Sequence, residues 1–373
     1  MLIGCPKEIK SHEYRVGLVP SSVKELVANG HDVIIETNAG AAINFTDDDY
    51  INAGAQIVGS ADDIFDRSEM VVKVKEPQEV EYKKLKEDQL LFTYLHLAPD
   101  PAQTKGLIDS GCVAIAYETV TGANGRGLPL LAPMSEIAGR LSTLVGSYYL
   151  QKHCGGTGRL ISGVPGVLPA KVLIIGGGVS GFNAAKVAVG MGADVTILEK
   201  NHDRLRFLDD YFQASAKIVY SSLDVLERYI TETDIIVGAV LIPGAAAPKL
   251  ISKDMLSTMQ KGTVMVDIAI DQGGCFETSK PTTHEDPVYT IEDVVHYCVA
   301  NMPGAVALSS ALALNHAVLP YAIELANKGW KKAVKDNASL RAGLNVCHGE
   351  ITYESVADSL DLPYTAEPKA LAA

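Results

Sequence analysis

Three glycines near the middle of the chain have the spacing of a dinucleotide-binding turn. Gly176, Gly178 and Gly181 lie between the apolar run Lys171–Ile175 and a stretch of helical character. In such turns the first glycine allows a tight bend, the second lets the backbone approach a pyrophosphate, and the third lets the helix pack on its strand. N–H groups at the helix N-terminus then face the phosphate charge. The pattern predicts a phosphate-binding strand, turn and helix; a tight turn without a ligand is the alternative.

A carboxylate after the next apolar run indicates which dinucleotide would bind. Val195–Leu198 ends in Glu199, close to the spacing of roughly 20 residues at which such folds place an acidic residue. A carboxylate there accepts hydrogen bonds from a ribose 2′-hydroxyl and repels a 2′-phosphate. Together the two features predict NAD as the cofactor in preference to NADP.

Three side chains in the first third of the chain could bind an acid and move a proton. Arg15 lies in a charged segment predicted to be a loop, where its planar guanidinium suits a carboxylate; a solvated surface arginine is the alternative. Lys75 ends the run VVKVKEP, in which Lys73 shares its face, so a solvent-facing strand is the alternative. His96 ends the run LLFTYLHL, where an imidazole can transfer protons near neutral pH; a structural histidine is the alternative.

A further carboxylate follows an apolar run in the second half of the chain. The stretch VMVDIAIDQGG is predicted to end a strand with Asp271, beside glycines that let other backbone approach closely. Asp267 is an alternative, but it falls inside the apolar run, where a structural role is expected. The loop that contains Asn301 and Met302 is predicted at the same edge of the sheet, with an ordinary connecting role as its alternative.

The composition is that of an ordinary globular protein, and it argues against several classes of function. With 373 residues the chain is long for one core, so two domains are expected. The net charge of −13 argues against a surface for nucleic acid or anionic membrane. Six cysteines without a C-x-x-C pair predict neither a metal site nor disulfides, and they favour a reducing cytoplasm. The start, MLIGCPKEIK, lacks the apolar core of a signal peptide.

One uncharged segment, residues 297–323, is long enough to cross a bilayer. It contains Asn301, Pro303, Asn315 and Pro320, and it lacks basic flanking clusters. A buried helix between two domains is the preferred interpretation, and no membrane partner is expected.

Short apolar runs alternate with amphipathic stretches, which predicts strands separated by helices and therefore parallel sheets. In the first half the predicted strands are Leu2–Gly4, Val33–Glu36, Met70–Lys75, Gln89–Leu95 and Cys112–Ala116, with a helix at Ser21–Asn29. Later strands are predicted at Lys217–Tyr220, Asp234–Val240, Thr263–Ile268 and Val288–Thr290. Helices are predicted within Pro129–His153, from about Ala305 to Asn327, and at Val356–Leu360.

These elements predict an α/β protein with two Rossmann-like, doubly wound domains separated by a cleft and joined by long helices. Residues 1–128 and 306–373 form the predicted substrate and catalytic domain. Residues 129–305 form the predicted NAD-binding Rossmann domain. Sites in open α/β sheets form outside the carboxyl ends of strands, so the candidate side chains are expected there.

Several longer segments, in their order along the chain, resemble the bacterial L-alanine dehydrogenase family. They are PKEIKSHEYRVGLVP, VVKVKEP, TYLHLAPD, APMSEIAGRL, GGVPGVLPAKVLIIGGGVSG, VDIAIDQGGCFE and YCVANMPGAV, and the likeness covers essentially the whole chain. The NAD-binding portion of proton-translocating nicotinamide nucleotide transhydrogenase shares the fold and is the close competitor. That relative usually lacks an aspartate matching Asp271, so the presence of Asp271 and His96 favours the dehydrogenase.

The resemblance implies an NAD-dependent oxidoreductase that converts L-alanine reversibly to pyruvate and ammonium. It gives Arg15 and Lys75 as ligands of the substrate carboxylate, and His96 and Asp271 as the catalytic pair, with the principal base left open. Besides the glycine turn, it implies cofactor contacts at Ser135, Gly178, Glu199, Lys200, Arg204, Ser221, Asn301 and Met302. The acidic ribose ligand of the family is commonly aspartate and is glutamate here, whose longer side chain can make the same contacts. A homohexamer is also implied.

Two hypotheses from different classes follow. On the enzyme hypothesis the two cations anchor the substrate, His96 with Asp271 moves protons, and closure of the predicted cleft excludes water from the hydride step. On the other hypothesis the chain is a binding module that senses NAD without catalysis, and loss of His96 or Asp271 would leave its function intact.

Overall fold

The computed structural model describes residues 1–240 and 248–366. The chain forms two compact units, Met1–Met134 with Val306–Ala373, and Ser135–Ala305. Each unit contains one mostly parallel sheet, which confirms the predicted fold of two α/β domains. The functional division between 1–128 with 306–373 and 129–305 remains a prediction.

Strands and helices alternate along most of the chain. The strands are β1 Leu2–Cys5, β2 Asp32–Glu36, β3 Gln56–Val58, β4 Met70–Val72, β5 Leu90–Thr93, β6 Val113–Ala116, β7 Lys171–Ile175, β8 Asp194–Glu199, β9 Lys217–Tyr220, β10 Ile235–Gly238, β11 Val264–Asp267, β12 Val288–Ile291, β13 Val294–Tyr297, β14 Leu344–Cys347 and β15 Glu350–Ile351. The helices are α1 Pro20–Ala28, α2 Asp47–Asn52, α3 Ala61–Arg67, α4 Glu79–Tyr82, α5 Pro101–Ser110, α6 Ala132–Tyr149, α7 Val179–Gly190, α8 His202–Phe212, α9 Leu223–Ile230, α10 Ala307–Lys328, α11 Trp330–Asp336, α12 Ala338–Ala342 and α13 Glu354–Leu360.

The sheet of the first unit has a parallel core with antiparallel strands at one edge. Its parallel strands lie in the order β3-β2-β1-β4-β5-β6. Beyond β6, β14 pairs antiparallel with β6, and β15 pairs antiparallel with β14. The strand order therefore changes direction between β1 and β4, and open α/β sheets bind ligands at such a switch point.

The sheet of the second unit repeats this arrangement. Its parallel strands lie in the order β9-β8-β7-β10-β11-β13, and β12 pairs antiparallel with β13. This is the dinucleotide-binding strand order, with the switch point between β7 and β10. The glycine turn follows β7 and so lies at that switch point.

Most predicted strands are present, but several are shorter than predicted. The runs that begin at Met70 and Leu90 pair only as far as Val72 and Thr93. The apolar pattern continues beyond both strands because the following residues are buried without belonging to the sheet, as Val74 and Leu95 show. Apolarity in this chain therefore predicted burial more accurately than strand pairing.

Helix α10 is the only stretch of the described residues that could cross a membrane by its length and composition, when counted as Met302–Lys328. Asn315 within it is buried and accepts hydrogen bonds from the backbone N–H of Val19 at 2.9 Å and from Ser22 Oγ at 2.8 Å. These bonds satisfy donors at the start of α1, which has no capping side chain of its own. Helix α10 therefore packs in the first unit as a partly buried helix, and its predicted place between two domains remains a prediction.

Candidate substrate and cofactor sites

The carboxyl ends of neighbouring strands in the first unit carry the predicted substrate residues. Arg15 follows β1, Lys75 follows β4 and His96 follows β5. The three strands are adjacent in the sheet, and the switch point lies between β1 and β4. The topology thus brings all three residues to the edge where open α/β sheets bind ligands.

Arg15 is buried, so the alternative of a solvated surface arginine is wrong. Its side chain is 2% exposed and is paired with the fully buried Glu13. The Glu13 carboxylate accepts hydrogen bonds from Arg15 Nε at 2.6 Å, from Nη2 at 2.5 Å and from the Arg15 backbone N–H at 3.0 Å. Burial alone would lower the pKa of the guanidinium, but Glu13 outweighs burial and the pKa is raised. Arg15 is therefore a fixed, oriented cation.

The loop that carries Arg15 lies against the end of β4 because Gly17 has no side chain. A Cβ at Gly17 would lie 2.5 Å from the carbonyl oxygen of Val72, closer than real Cβ atoms approach other atoms. Val72 is the last residue of β4. This close approach of two backbones brings the Arg15 loop beside the segment that contains Lys75.

Both lysines that follow β4 are buried, so the alternative of a solvent-facing strand is also wrong. Lys73 Nζ donates to Glu8 Oε2 at 3.1 Å and to Glu81 Oε1 at 2.8 Å. Burial lowers the pKa of Lys73, but the two carboxylates outweigh it and the pKa is raised. We call Glu8, Lys73 and Glu81 the buried triad. Lys73 forms ion pairs with both carboxylates of the triad.

Lys75 is held less tightly than Lys73. Its Nζ lies 3.7 Å from Glu76 Oε2, which is beyond hydrogen-bond distance, and the residue is 7% exposed. The other oxygen of Glu76 pairs with Lys10. Burial raises the pKa of the Glu76 carboxyl, but Lys75 and Lys10 outweigh burial and lower it. Glu76 is therefore a carboxylate beside the Lys75 ammonium.

His96 lies three residues beyond the end of β5 at Thr93. Its φ is +49°, in the left-handed region, and its side chain is 34% exposed. The imidazole stacks on the ring of Tyr94, with centroids 5.8 Å apart and planes 9° apart. The backbone N–H of His96 is donated to Glu118 at 2.6 Å. An accessible imidazole thus rests on a buried aromatic ring at the sheet edge.

The sequence patterns did not indicate the carboxylates that face these three side chains. Glu13 and Glu76 stand within two residues of the cation that each one faces, so local charge alternation was an available signal. Glu118 is distant in sequence and meets His96 only because β5 and β6 are parallel neighbours with Thr93 opposite Ala116. This strand pairing belongs to the tertiary structure, so local sequence patterns could not indicate Glu118.

In the second unit each glycine of the turn has a separate physical role. Gly176 has a φ of +98°, which a residue with a side chain rarely adopts. A Cβ at Gly181 would lie 1.8 Å from the carbonyl oxygen of Gly176, so only glycine lets α7 pack on the turn. A Cβ at Gly178, the N-cap of α7, would meet no atom within 4 Å. The backbone is therefore open on this side, and a helix N-terminus favours an anion.

Glu199 lies beside the glycine turn, at the end of β8. Its Oε2 accepts the backbone N–H of Gly177 at 2.9 Å, and its Oε1 accepts those of Lys200 at 2.7 Å and Asn201 at 2.9 Å. The three bonds fix a carboxylate where the ribose next to a pyrophosphate would lie. Glu199 thus contacts both the glycine turn and the loop that follows β8.

Other predicted cofactor residues surround the same turn. Arg204 donates to the carbonyl oxygens of Gly177 at 2.5 Å and Gly178 at 3.3 Å, and its guanidinium lies 4.4 Å from the ring centroid of Phe207. Partial burial lowers the pKa of Arg204. Ser221 follows β9, the next strand, and donates its backbone N–H to the carbonyl oxygen of Glu199 at 2.9 Å. Together these contacts gather cationic and polar groups at one end of β7, β8 and β9.

The strand that leads to Asp271 is shorter than predicted, so the prediction that Asp271 ends it is wrong. β11 ends at Asp267, and Asp271 lies in the short 3₁₀ turn that follows, with its side chain exposed. Asp267 is fully buried and accepts hydrogen bonds from the Cys275 backbone N–H at 2.7 Å and from Ser279 Oγ at 2.5 Å. Burial raises the pKa of Asp267. Asp267 therefore has the expected structural role and shapes the loop that presents Asp271.

The remaining predicted cofactor residues lie on α6 and after β13. Ser135 lies one helical turn before Gly139, where a Cβ would be 2.1 Å from the carbonyl oxygen of Ser180 in α7. This places Ser135 close to the start of α7. Asn301 follows β13 with a φ of +61°, and Met302 is buried. Within residues 1–240 and 248–366 no group of three or more His, Cys, Asp or Glu side chains could hold a metal ion.

Two family models match consecutive parts of the chain. The alanine dehydrogenase/PNT N-terminal domain matches residues 4–138, and the alanine dehydrogenase/PNT C-terminal domain matches residues 142–354. The alanine dehydrogenase of Halomonas elongata is 56% identical over 364 residues, which cover 98% of each chain. The alanine dehydrogenase of Mycolicibacterium smegmatis is 50% identical over 372 residues, which cover 100% of each chain.

Solved structures show the same relationship in three dimensions. An L-alanine dehydrogenase superposes with a TM-score of 0.92 at 50% identity, covering 97% of this chain and 99% of that one. A transhydrogenase from Sinorhizobium meliloti superposes with a TM-score of 0.79 at 22% identity, covering 95% of this chain and 99% of that one. The second likeness is one of fold.

Proposed function

The chain belongs to the alanine dehydrogenase/PNT family, and we propose that it catalyses the NAD-dependent, reversible oxidative deamination of L-alanine to pyruvate and ammonium. The observation that carries this proposal is full-length identity of 50–56% to alanine dehydrogenases. The position of Arg15, Lys75 and His96 at adjacent strand ends supports it, since this set of groups suits a small amino acid.

Arg15 and Lys75 bind the substrate carboxylate. Both are buried cations at the switch point of the first unit, where a carboxylate finds little competition from water. Glu13 holds the Arg15 guanidinium in one orientation before substrate arrives, so less freedom is lost on binding. Anchoring the carboxylate fixes the neighbouring Cα, from which the hydride leaves.

We assign the two catalytic roles to His96 and Asp271. The substrate amine must be neutral before the hydride leaves, and the accessible imidazole of His96 takes its proton. After that proton passes to solvent, the same imidazole takes a proton from the water that adds to the imine carbon and returns it to the departing ammonia. Asp271 supplies an exposed carboxylate from the turn that Asp267 shapes.

The second unit binds NAD, which when bound accepts the hydride from the substrate. The open space beyond Gly178 receives the pyrophosphate, and the closely packed glycines on either side of it shape the turn. Glu199 binds the adenosine ribose and disfavours a 2′-phosphate. The further contacts are Ser135, Lys200, Arg204, Ser221, Asn301 and Met302.

The activity is tested by following NADH absorbance with L-alanine and NAD, and in reverse with pyruvate, ammonium and NADH. The proposal expects turnover in both directions, and a panel of L-alanine, L-serine and glycine measures the substrate range. The matched variant His96→Asn should bind NADH normally while kcat falls by about 10²-fold or more. Absence of turnover in both directions would contradict the proposed function.

The assembly we propose is a cytoplasmic homohexamer. Four apolar side chains of the loop before β7 are exposed, namely Leu160, Val164, Val167 and Leu168, of which Leu168 is 77% exposed. Exposed apolar groups that are close in sequence often mark a surface for another chain. All six cysteines are free thiols, which fits a reducing compartment.

A further inference from the structure

His96 has a backbone conformation that residues with a side chain rarely adopt. Its φ of +49° lies in the left-handed region, where a Cβ crowds the backbone. Such conformations persist only where the surrounding structure holds them, and they are concentrated at functional sites. The segment beyond β5 must therefore contain, or contact, a group that holds His96 in this state.

Glu118 is that group. Its Oε1 accepts the backbone N–H of His96 at 2.6 Å and that of Leu95 at 3.1 Å, and its Oε2 lies 3.2 Å from the Leu95 nitrogen. The Glu118 side chain is 16% exposed, so these hydrogen bonds are largely shielded from water. Glu118 follows β6, the neighbour of β5, and its position is therefore set by a strand other than the one that leads to His96.

The contacts of the imidazole ring show that Glu118 acts on the backbone. The Nδ1 of the ring lies 3.9 Å from Glu118 Oε1, which is too long for a hydrogen bond. The imidazole stacks on the parallel ring of Tyr94. The Tyr94 hydroxyl donates a hydrogen bond to the carbonyl oxygen of Leu130 at 2.6 Å. His96 also contributes, after Lys75 and Lys10, to the lowered pKa of the Glu76 carboxyl.

We propose that Glu118 is a positioning residue for the proposed reaction, which holds His96 in the left-handed conformation by accepting two consecutive backbone N–H groups. In this conformation the imidazole lies along the Tyr94 ring and stays accessible. The inference rests on the proposed function, because it gives His96 the proton-transfer role.

Two substitutions separate the hydrogen-bonding role of Glu118 from its charge. Glu118→Gln keeps an oxygen that can accept both N–H groups but removes the negative charge. Glu118→Ala removes the acceptor and the charge together. Glu118→Met, which fills a similar volume without an oxygen acceptor at its end, replaces the alanine variant if that variant does not fold. Glu79→Gln, at an exposed carboxylate of the same unit, is the matched control.

We expect Glu118→Ala to lower kcat for reductive amination of pyruvate on the order of 10- to 100-fold, as displacement of a catalytic group by about 1 Å does. The KM for pyruvate should change little, because Arg15 and Lys75 are intact. Glu118→Gln should recover kcat to within a few-fold of the parent, with the same pH dependence. In a His96→Asn background, Glu118→Ala should cause no further loss, since it acts through His96.

Several results would overturn the positioning role. If Glu118→Gln is as slow as Glu118→Ala, or shifts the pH dependence of kcat, then Glu118 acts through its charge. Unchanged kcat in Glu118→Ala, or equal further loss in the His96→Asn background, would also contradict it. Full activity of His96→Asn alone would instead contradict the proposed function. Melting temperature and NADH affinity, measured for each variant, identify any that is unfolded.

Discussion

Every cation proposed to act on the substrate is faced by a carboxylate of its own unit. The pairs are Arg15 with Glu13 and Lys75 with Glu76. Each carboxylate offsets one positive charge, so the group of cations cannot rely on net attraction to draw in an anion. Selectivity for a small amino acid must therefore come from the orientation of the donors.

Arg15→Lys tests orientation, because it keeps a positive charge next to Glu13 but loses the planar fork. We expect kcat/KM for pyruvate to fall by an amount equivalent to roughly 1.5–3 kcal/mol, the usual value of a hydrogen bond to a charged group. NADH affinity and melting temperature should stay near those of the parent. An alanine variant is less informative, since it would leave the buried Glu13 carboxylate without its cation.

The result that would contradict this role is an equal loss of NADH and pyruvate affinity. Unchanged kcat/KM would also count against it, because a site that needs only a positive charge would accept lysine.

Glu199→Ala tests the assignment of the cofactor. Removing the carboxylate removes the repulsion of a 2′-phosphate, so the ratio of kcat/KM with NADPH to that with NADH should rise by about tenfold or more, equivalent to at least ~1.4 kcal/mol. Steady-state kinetics with both cofactors gives the ratio. Asp203→Asn, at an exposed carboxylate of the neighbouring helix α8, should leave it unchanged. An unchanged ratio in Glu199→Ala would show that another group selects the cofactor.

At this scale the sequence indicated candidate groups better than their environments. Residue type and position made Arg15, Lys75 and His96 candidates, the family resemblance implied their roles, and the structure brings them to one sheet edge. The burial of Arg15 and Lys75 was not predictable, because it depends on Glu13 and on strands that are distant in sequence. Glu118 could not be found at all without the pairing of β5 with β6.

At the scale of elements, different glycines of the turn serve ligand binding and helix packing. Gly178→Ala adds a methyl group to open space, so the unit should keep its stability while NAD affinity falls by tenfold or more, equivalent to at least ~1.4 kcal/mol. Calorimetric titration of NADH and a melting curve measure the two effects. Gly190→Ala, in the same helix and also facing open space, is the matched control and should leave NAD affinity unchanged.

Gly181→Ala, in contrast, should lower the stability of the second unit itself. Its Cβ would lie 1.8 Å from the carbonyl oxygen of Gly176, so the backbone of the turn must move. We expect the free energy of unfolding to fall by roughly 1–3 kcal/mol, the usual cost of overpacking, as measured by denaturant titration without cofactor. A fully stable Gly181→Ala variant would contradict the described packing of α7 on the turn.

The buried triad ties the loop after β1, the loop after β4 and helix α4 together through one lysine. Lys73→Met would leave the carboxylates of Glu8 and Glu81 buried without a cation, and it should lower the free energy of unfolding by roughly 3–5 kcal/mol. Lys83→Met, at an exposed ion pair on the same unit, should change it by less than about 0.5 kcal/mol. Denaturant titration gives both values.

The same variant has a pH dependence of known sign. Burial already raises the pKa of Glu8 in the parent protein, so the folded state binds a proton there more tightly than the unfolded state does. Stability from such a group is present at low pH and is lost as pH rises through its folded-state pKa. The deficit of Lys73→Met should therefore shrink as pH is lowered from neutral, and a deficit that grows would contradict the assignment.

The order of strands was less predictable than their existence. Alternation of apolar runs with helical patterns predicted two α/β sheets, and the helix at Ser21–Asn29 is confirmed as Pro20–Ala28. The antiparallel strands β14 and β15 were not predicted, because they are short and join the sheet only through β6. Local patterns carry no information about which distant strand will be the partner.

At the scale of the whole molecule, the exposed apolar loop before β7 predicts self-association. We expect the parent protein to sediment as a hexamer and the double variant Val164→Asp, Leu168→Asp to form smaller species, because an interface would have to desolvate two charges. Leu223→Asp, at another exposed leucine of the second unit, should not change the assembly. Analytical ultracentrifugation distinguishes the outcomes; a monomeric parent, or a variant that stays hexameric, would contradict the proposal.

The return of residues 306–366 to the first unit sets an order for folding during synthesis on the ribosome. The second unit is one continuous stretch, 135–305, and is complete before α10 and β14 have been made. Until they emerge, the outer edge of β6 has no partner strand, and the start of α1 lacks the side chain of Asn315. Unpaired strand edges are templates for aggregation. A growing chain is therefore most prone to aggregation after β6 has been made and before residues 306–366 have emerged.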